Sequence, residues 1–289
     1  MTAHGLMFHH FHGGGHPVVQ GSWSADELGQ CIAEHRQRLL LARDFLTLHR
    51  AGLLRDEDLV LTFDDGLRSQ YDVARPIVEA AGLTAFWFVP TAPLIGIASC
   101  LELYRWLRTV AYPSVEAFYE AWQAVIGFSA DLAPDDYLAH LSYLTEHDRG
   151  YRYWRDEMAS PQEYERVMDA MLAPFPPPPR LSLTAHEVRD LLGAGHVIGP
   201  HSHSHPTRLD RLTKEQQAIE YVTSTVILEQ ILGARPVAMS HPCNRVTPHG
   251  LAVLRGLGYQ LGFSATDTPG DALTMPRRNS AEVRVMVPA

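Results

Sequence analysis

Short apolar, β-prone runs alternate with capped helical stretches along most of the chain, and this rhythm constrains the fold more than any other feature. Gly5 to Phe8 is a strand candidate. Ser24-Ala-Asp-Glu27 is a capping box, with an apolar-periodic helix from there to about Phe45. Leu59 to Phe63 is a compact strand, and a helix follows over Val73 to Ala81 before Gly82. Ala85 to Val89 is the next strand, stopped by Pro90. Thr184-Ala-His-Glu187 and Thr213-Lys-Glu-Gln216 open two further helices, ending near Gly193 or Gly195 and at about Leu232. His196 to Gly199, Val237 to Ser240 and Leu261 to Ser264 are strands, and Leu273 to Val285 returns as a final strand region. Thr247-Pro248 starts the last helix, as a cap followed by an N1 proline. Such βα units predict an α/β fold with a mainly parallel sheet, open or closed into a barrel.

The stretch from about Thr91 to Arg180 breaks the rhythm. It is helical by pattern and rich in aromatics, and it ends in the stiff run Pro174-Phe-Pro-Pro-Pro-Pro179. It reads as an insertion at 91–180 within one domain covering 1–289. Within it, Arg155 could meet an anionic group and Trp154 could stack on a sugar or base. Packing between helices accounts for the same residues equally well.

Net charge is −9, from 24 Lys and Arg against 33 Asp and Glu, which leaves no general electrostatic case for nucleic acid or an anionic membrane. No run of about 18 apolar residues exists, so no transmembrane helix is expected. The start, Met1-Thr-Ala-His-Gly, lacks a basic region and an apolar segment, so the expectation is a cytoplasmic protein without a secretory signal. Cys31, Cys100 and Cys243 match no zinc spacing and read as free thiols. Nothing in the sequence specifies an oligomeric state.

Histidine is the outlier, with 16 copies clustered at 9–16 and 201–205. Thr62-Phe-Asp64-Asp65-Gly66 sets two adjacent carboxylates at the carboxyl end of a strand, where α/β active sites lie. Adjacent carboxylates repel unless a cation or proton lies between them, although Asp-Asp-Gly alone also fits a cap and a turn. His201-Ser-His203-Ser-His205-Pro206 follows another strand, and imidazoles on one short loop can converge on one ion. Carboxylates and histidines together form a mixed N/O donor set that suits Zn²⁺ or Co²⁺ better than Mg²⁺ or Ca²⁺. Ser240-His241-Pro242-Cys243 ends a third strand, where the Cys243 N–H could stabilise an oxyanion or its thiol could react. His12-Gly-Gly-Gly15 resembles a lipase oxyanion loop, but no Gly-x-Ser-x-Gly elbow accompanies it. One strand-end histidine, His9 or His10, is expected to look into the barrel mouth.

These motifs, in this order, resemble the polysaccharide deacetylases of the NodB-homology type, carbohydrate esterase family four. Thr62 to Gly66 matches their first motif whole, and His201-Ser-x-x-His205-Pro206 matches their second. The resemblance covers 1–90 and 181–289. It implies a distorted (β/α) barrel with a long, mainly helical insertion. It also implies metal-dependent removal of an acetyl or formyl group from an N-acyl amino sugar, here a small nucleotide- or lipid-linked precursor. Asp64 would be the base, and Asp65, His201 and His205 would hold one divalent ion, Zn²⁺ with Co²⁺ or Ni²⁺ as substitutes. His203 falls at a variable position beside them, on the substrate side. The family's third motif, Arg-x-Pro-Tyr, keeps only its proline here, because Ser240 stands at the arginine position. Pro276-Arg277 resembles an arginine that serves the base in sugar-precursor relatives. The late Leu-x-His motif is absent, which leaves His10 and His241 as candidates for the general acid. Two other readings stand beside this one: a metal-independent cyclic amide hydrolase on the same barrel, and an inert carbohydrate-binding relative.

Overall fold

The computed structural model describes residues 3–127, 133–139, 144–265 and 270–285. The chain divides into two compact units, one formed by Met1–Ser99 with Arg180–Ala289 and the other by Cys100–Pro179.

The first unit is built on seven strands: β1 (His4–Phe8), β2 (Leu59–Phe63), β3 (Phe86–Val89), β4 (Val197–Pro200), β5 (Ala238–Ser240), β6 (Leu261–Ser264) and β7 (Met275–Asn279). They form one all-parallel sheet in the order β4-β3-β2-β1-β7-β6-β5. The two outermost strands approach each other closely, since a Cβ added at Gly199 of β4 would stand 2.1 Å from the Ala238 carbonyl oxygen of β5. Only glycine permits that approach. The result is a nearly closed (β/α) barrel.

Side-chain alternation along β2 sorts the two faces. Leu59, Leu61 and Phe63 point outward, into a core shared with α1 (Ala25–His35), α3 (Arg75–Ala80) and α8 (Ala185–Gly193). Val60 points inward and joins Phe86, Phe88 and Phe263 in the barrel interior. Phe45, from α2 (Ala42–Ala51), packs on Phe86 and Phe263 with ring centroids 6.3 and 6.2 Å apart. The interior is thus a filled aromatic floor. Capping boxes hold the helix starts at Ser24, Thr184 and Thr213, and Gly233, in the left-handed region at φ 74, ends α9 (Lys214–Leu232). α10 (Pro248–Gly256) and α11 (Ser280–Val285) complete the unit.

The helix expected from Ser24 to Phe45 is two helices. It breaks because Leu39 forms an isolated parallel bridge with Leu59 and Leu40 donates its N–H to the Leu59 carbonyl. The last expected strand region is the short β7 followed by α11.

The second unit holds α4 (Cys100–Trp106), α5 (Val115–Ile126), α6 (Glu146–Tyr153) and α7 (Pro161–Leu172) around Tyr104, Phe118, Trp122, Tyr151 and Trp154. It begins at Cys100 and not at Thr91, because Thr91 and Ala92 donate backbone hydrogen bonds to the carbonyls of Ser202 and His203 in the barrel unit. No helix among the described residues is long and apolar enough to cross a membrane.

Candidate active site

The register aligns the carboxyl ends of the strands. Phe8 lies opposite Phe63, Val89 opposite Pro200, and Ser240 opposite Phe263. The residues that come next, among them Asp64, His201 and His241, therefore collect at one end of the barrel.

Asp64 continues the inward alternation of Val60 and Thr62 and is 1% exposed. An extended chain would send Asp65 to the opposite face. Instead Asp65 lies in the left-handed region at φ 73, which turns its carboxylate back toward the same end. Gly66 follows at φ 58, where a Cβ would come within 2.9 Å of Val89 Cγ1, so this turn requires glycine.

Arg277 sits on β7 opposite Gly5. Its guanidinium carbon lies 6.0 and 5.9 Å from the centroids of the Phe88 and Phe263 rings of the barrel interior. Gly5 leaves room for the Arg277 stem, since a Cβ there would be 2.9 Å from Arg277 Cγ. The guanidinium meets both oxygens of Asp64 at 2.7 Å each, a fork-to-fork pairing. It also donates to Thr62 Oγ1 at 3.3 Å and to Ser240 Oγ at 2.8 Å. Ser240 in turn donates its hydroxyl to Asp64 Oδ2 at 3.1 Å. Burial by itself would raise the Asp64 pKa. The Arg277 charge and hydrogen bonds, together with the nearby His201, outweigh it and hold the carboxyl below its ordinary value.

His201 directs Nδ1 at the Ser240 carbonyl, 3.0 Å away. A carbonyl only accepts, so Nδ1 carries the proton and Nε2 presents its lone pair. Burial lowers His201 to about 4, which keeps the ring neutral at physiological pH. Its Nε2 lies 3.6 Å from Asp65 Oδ1 and 3.7 Å from Asp64 Oδ2, and His205 Nε2 lies 3.2 Å from Asp65 Oδ1. Burial would raise Asp65, but the hydrogen bond and charge of His205, with His9 and His201, push it well below the ordinary carboxylate range. One donor atom each from Asp65, His201 and His205 falls within 4.8 Å of the others, and all three residues are buried. Two imidazole nitrogens and a carboxylate oxygen, held close together on buried side chains, match the donor set that a zinc-like ion requires.

The other sequence candidates are placed as follows. His203 turns away from this cluster: its Nδ1 hydrogen-bonds Thr91 Oγ1 at 2.8 Å. His241 is 1% exposed and donates Nε2–H to the Leu273 carbonyl at 2.8 Å, and burial lowers it to about 4. It is therefore neutral near pH 7 and holds no transferable proton in reserve. Cys243 is exposed and lies in the left-handed region at φ 48, on the turn after Ser240. Trp154 is 2% exposed inside the helical unit and offers no open ring face, and Arg155 is paired to Asp156 through two 2.7 Å hydrogen bonds. The substrate contacts expected of Trp154 and Arg155 are therefore used up by packing and pairing within that unit.

Sequence reasoning left His9 and His10 undecided. Along β1, Leu6 and Phe8 join the outer core, whereas Ala3 and Gly5 face inward. The same alternation turns His9 inward, one step beyond the Phe8–Phe63 pair and so opposite Asp64. Its charge bears on both Asp64 and Asp65. The decisive signal is parity along β1, which needs the inward face to be known first.

The polysaccharide deacetylase family profile matches residues 161–262, a stretch that contains His201, His205 and Ser240 but ends short of Arg277 and begins after Asp64. Three solved structures have the same fold. The Streptococcus pyogenes deacetylase PplD, in complex with acetate, aligns with a TM-score of 0.60 at 16% identity, over 100% of this chain and 99% of that one. IcaB from Ammonifex degensii aligns with a TM-score of 0.58 at 17% identity, over 96% and 90%. The BpsB deacetylase domain from Bordetella bronchiseptica gives 0.55 at 15%, over 96% and 94%. A search of curated protein sequences finds no match. The fold is therefore the NodB-type barrel, and over residues 161–262 the sequence is similar to the polysaccharide deacetylases.

Proposed function

We propose that this barrel hydrolyses the amide of an N-acyl amino sugar, releasing a carboxylate such as acetate and a free amine, and that it does so with one divalent ion. The observation that carries the reading is the juxtaposition of an ionised Asp64, clamped by Arg277, with the Asp65–His201–His205 cluster. Asp65, His201 and His205 would hold the ion, with Zn²⁺ the best match to their donors. Once bound, such an ion supplies Lewis-acid polarisation of an acyl carbonyl and lowers the pKa of a nearby water.

The remaining work belongs to side chains of this chain. Asp64, kept charged and oriented by Arg277 and Ser240, accepts the proton of the attacking water. The water oxygen bonds to the acyl carbon, the C–N bond breaks, and the nitrogen takes a proton to leave as an amine. His9, inward and opposite Asp64, is the best-placed histidine to deliver that proton, and His10 is the neighbouring alternative. The Cys243 N–H, on the turn after Ser240, is the candidate backbone donor for the oxyanion. PplD was solved in complex with acetate, the second product that N-deacetylation would give. The metal-independent amide hydrolase reading is the weaker one, since it leaves the three converging donors without a task.

The test is metal analysis of the purified protein, joined to a screen of N-acetyl and N-formyl amino sugars, free and nucleotide-linked, for amine release. The expected result is about one divalent ion per chain, and turnover that chelation abolishes and Zn²⁺ or Co²⁺ restores. Turnover that persists in a metal-free, chelated protein would overturn the metal-dependent reading.

A further inference from the structure

The five-residue loop from His201 to His205 must place two imidazoles on one point, yet it is irregular. Ser202 and His205 both lie in the left-handed region, at φ 60 and φ 59, which non-glycine residues seldom occupy. Something outside the loop has to hold that conformation. Ser202 helps from within, accepting the His205 N–H at 3.1 Å. From one side the segment after β3 reaches in, with Ala92 N–H donating to the His203 carbonyl at 3.0 Å and Thr91 Oγ1 bonded to His203 Nδ1.

The other side is held by one residue of α9. The face that α9 turns to the barrel unit includes Gln217, Glu220, Tyr221, Ser224, Thr225 and Leu228. Glu220 is 9% exposed in that face, where a carboxylate is costly unless it is used. Its Oε2 accepts the N–H groups of His203 at 2.9 Å and Ser204 at 2.8 Å, and its Oε1 accepts the Ser204 hydroxyl at 2.6 Å. All three donors lie between the two ligand histidines. α9 is a 19-residue helix capped at both ends, so it gives this carboxylate a rigid mount.

We propose that Glu220 is a positioning residue for the metal centre, setting the spacing of His201 and His205 by pinning the backbone between them. The inference rests on the metal-binding reading above and goes beyond it, because Glu220 lies outside the donor set. Without the carboxylate, the His203 and Ser204 N–H groups lose their acceptor, and the loop relaxes toward ordinary backbone angles that carry His205 off the shared point.

The test uses the full chain, stripped and then titrated with Zn²⁺ against a competing chelator and with Co²⁺ followed by its visible absorption. Glu220→Ala should weaken both ions about 10- to 100-fold, the usual cost of losing an outer support of a metal ligand, and should alter the Co²⁺ spectrum. Glu220→Gln should stay within about threefold, because its amide oxygen can take both N–H groups and its NH₂ can donate to the Ser204 hydroxyl. Melting in chelator reports whether each variant is folded. If Glu220→Ala does not fold, Glu220→Asp takes its place, since it keeps the charge but is one methylene too short to span the contacts. Parent-like affinity and spectrum in Glu220→Ala or Glu220→Asp would overturn the proposal. Loss in Glu220→Gln as deep as in Glu220→Ala would overturn it too, by making charge and not hydrogen bonding the cause. Failure of the parent chain to bind either ion is a different outcome: it overturns the metal reading itself, and this inference with it.

Discussion

Replacing Arg277 with methionine keeps an unbranched apolar side chain in the barrel interior and removes the partner of a carboxylate that is 1% exposed. In the parent, burial raises the Asp64 pKa, and Arg277, with His201 and His9, more than reverses it. In Arg277→Met the burial penalty stands opposed by His201, His9, Ser240 and any bound cation, without the guanidinium. Removing one partner of a buried ion pair costs about 3–5 kcal/mol if the other must stay charged. Since one pKa unit is about 1.4 kcal/mol, the carboxyl will protonate instead, and the acid limb of kcat/KM should move up by about two pH units or more. The sign of the stability effect differs between the two proteins. In the parent the Asp64 pKa is depressed, so its contribution is present above the ordinary carboxylate range and is lost as pH falls through the depressed value. In the variant the pKa is raised, so stability is lost as pH rises through it. Urea denaturation at pH 5 and pH 8 should show Arg277→Met losing more, relative to the parent, at pH 8. Metal content should stay near the parent's, because Arg277 contacts Asp64 and not the three donors. An unshifted acid limb, with equal destabilisation at both pH values, would refute the claim that Arg277 keeps the base ionised.

Further substitutions separate the remaining roles. His201→Ala or His205→Ala should each lower metal occupancy, measured by elemental analysis, far more than His203→Ala, whose ring is bonded to Thr91. Asp64→Asn should retain the ion yet lose about 10²- to 10⁴-fold in kcat, because an amide cannot accept the water proton, whereas Asp65→Asn should weaken the ion itself. Gly5→Ala should push the Arg277 stem, whose Cγ would be 2.9 Å from the new Cβ, and cost about 1–3 kcal/mol in urea denaturation together with part of the activity.

The features legible in the sequence are those whose causes are local. Capping boxes at Ser24, Thr184 and Thr213 announce helix starts because donor and acceptor are three residues apart. Asp64-Asp65-Gly66 and His201 to His205 announce chemistry because each motif is one continuous loop. What was hidden depends on partners far along the chain. The break before α2 follows from the Leu39–Leu59 bridge, and the choice of His9 over His10 follows from which face of β1 is inward. Glu220 looked like any charged residue on a long helix until the loop that it holds was folded beside it.

The pairing of Arg277 with Asp64 shows how such long-range dependence works. Ser240 stands where the resembling family carries an arginine, and the resemblance of Pro276-Arg277 to an arginine that serves the base names its replacement without showing how it reaches Asp64. In the fold, β7 lies next to β1, Gly5 opens the wall opposite Arg277, and a guanidinium enters from a different strand. The short side chain at 240 is then required, because an arginine there would compete for the space in which the Ser240 hydroxyl bridges Asp64 and the incoming guanidinium. The same residue's carbonyl fixes the protonation of His201, so one position orients both the base and a metal donor. Restoring arginine at 240 alone should therefore not restore the family's arrangement. It should crowd Arg277 and lower activity, and it becomes tolerable only when Arg277 is shortened in the same chain. A Ser240→Arg variant as active as the parent, with Arg277 intact, would show that the two sites are independent.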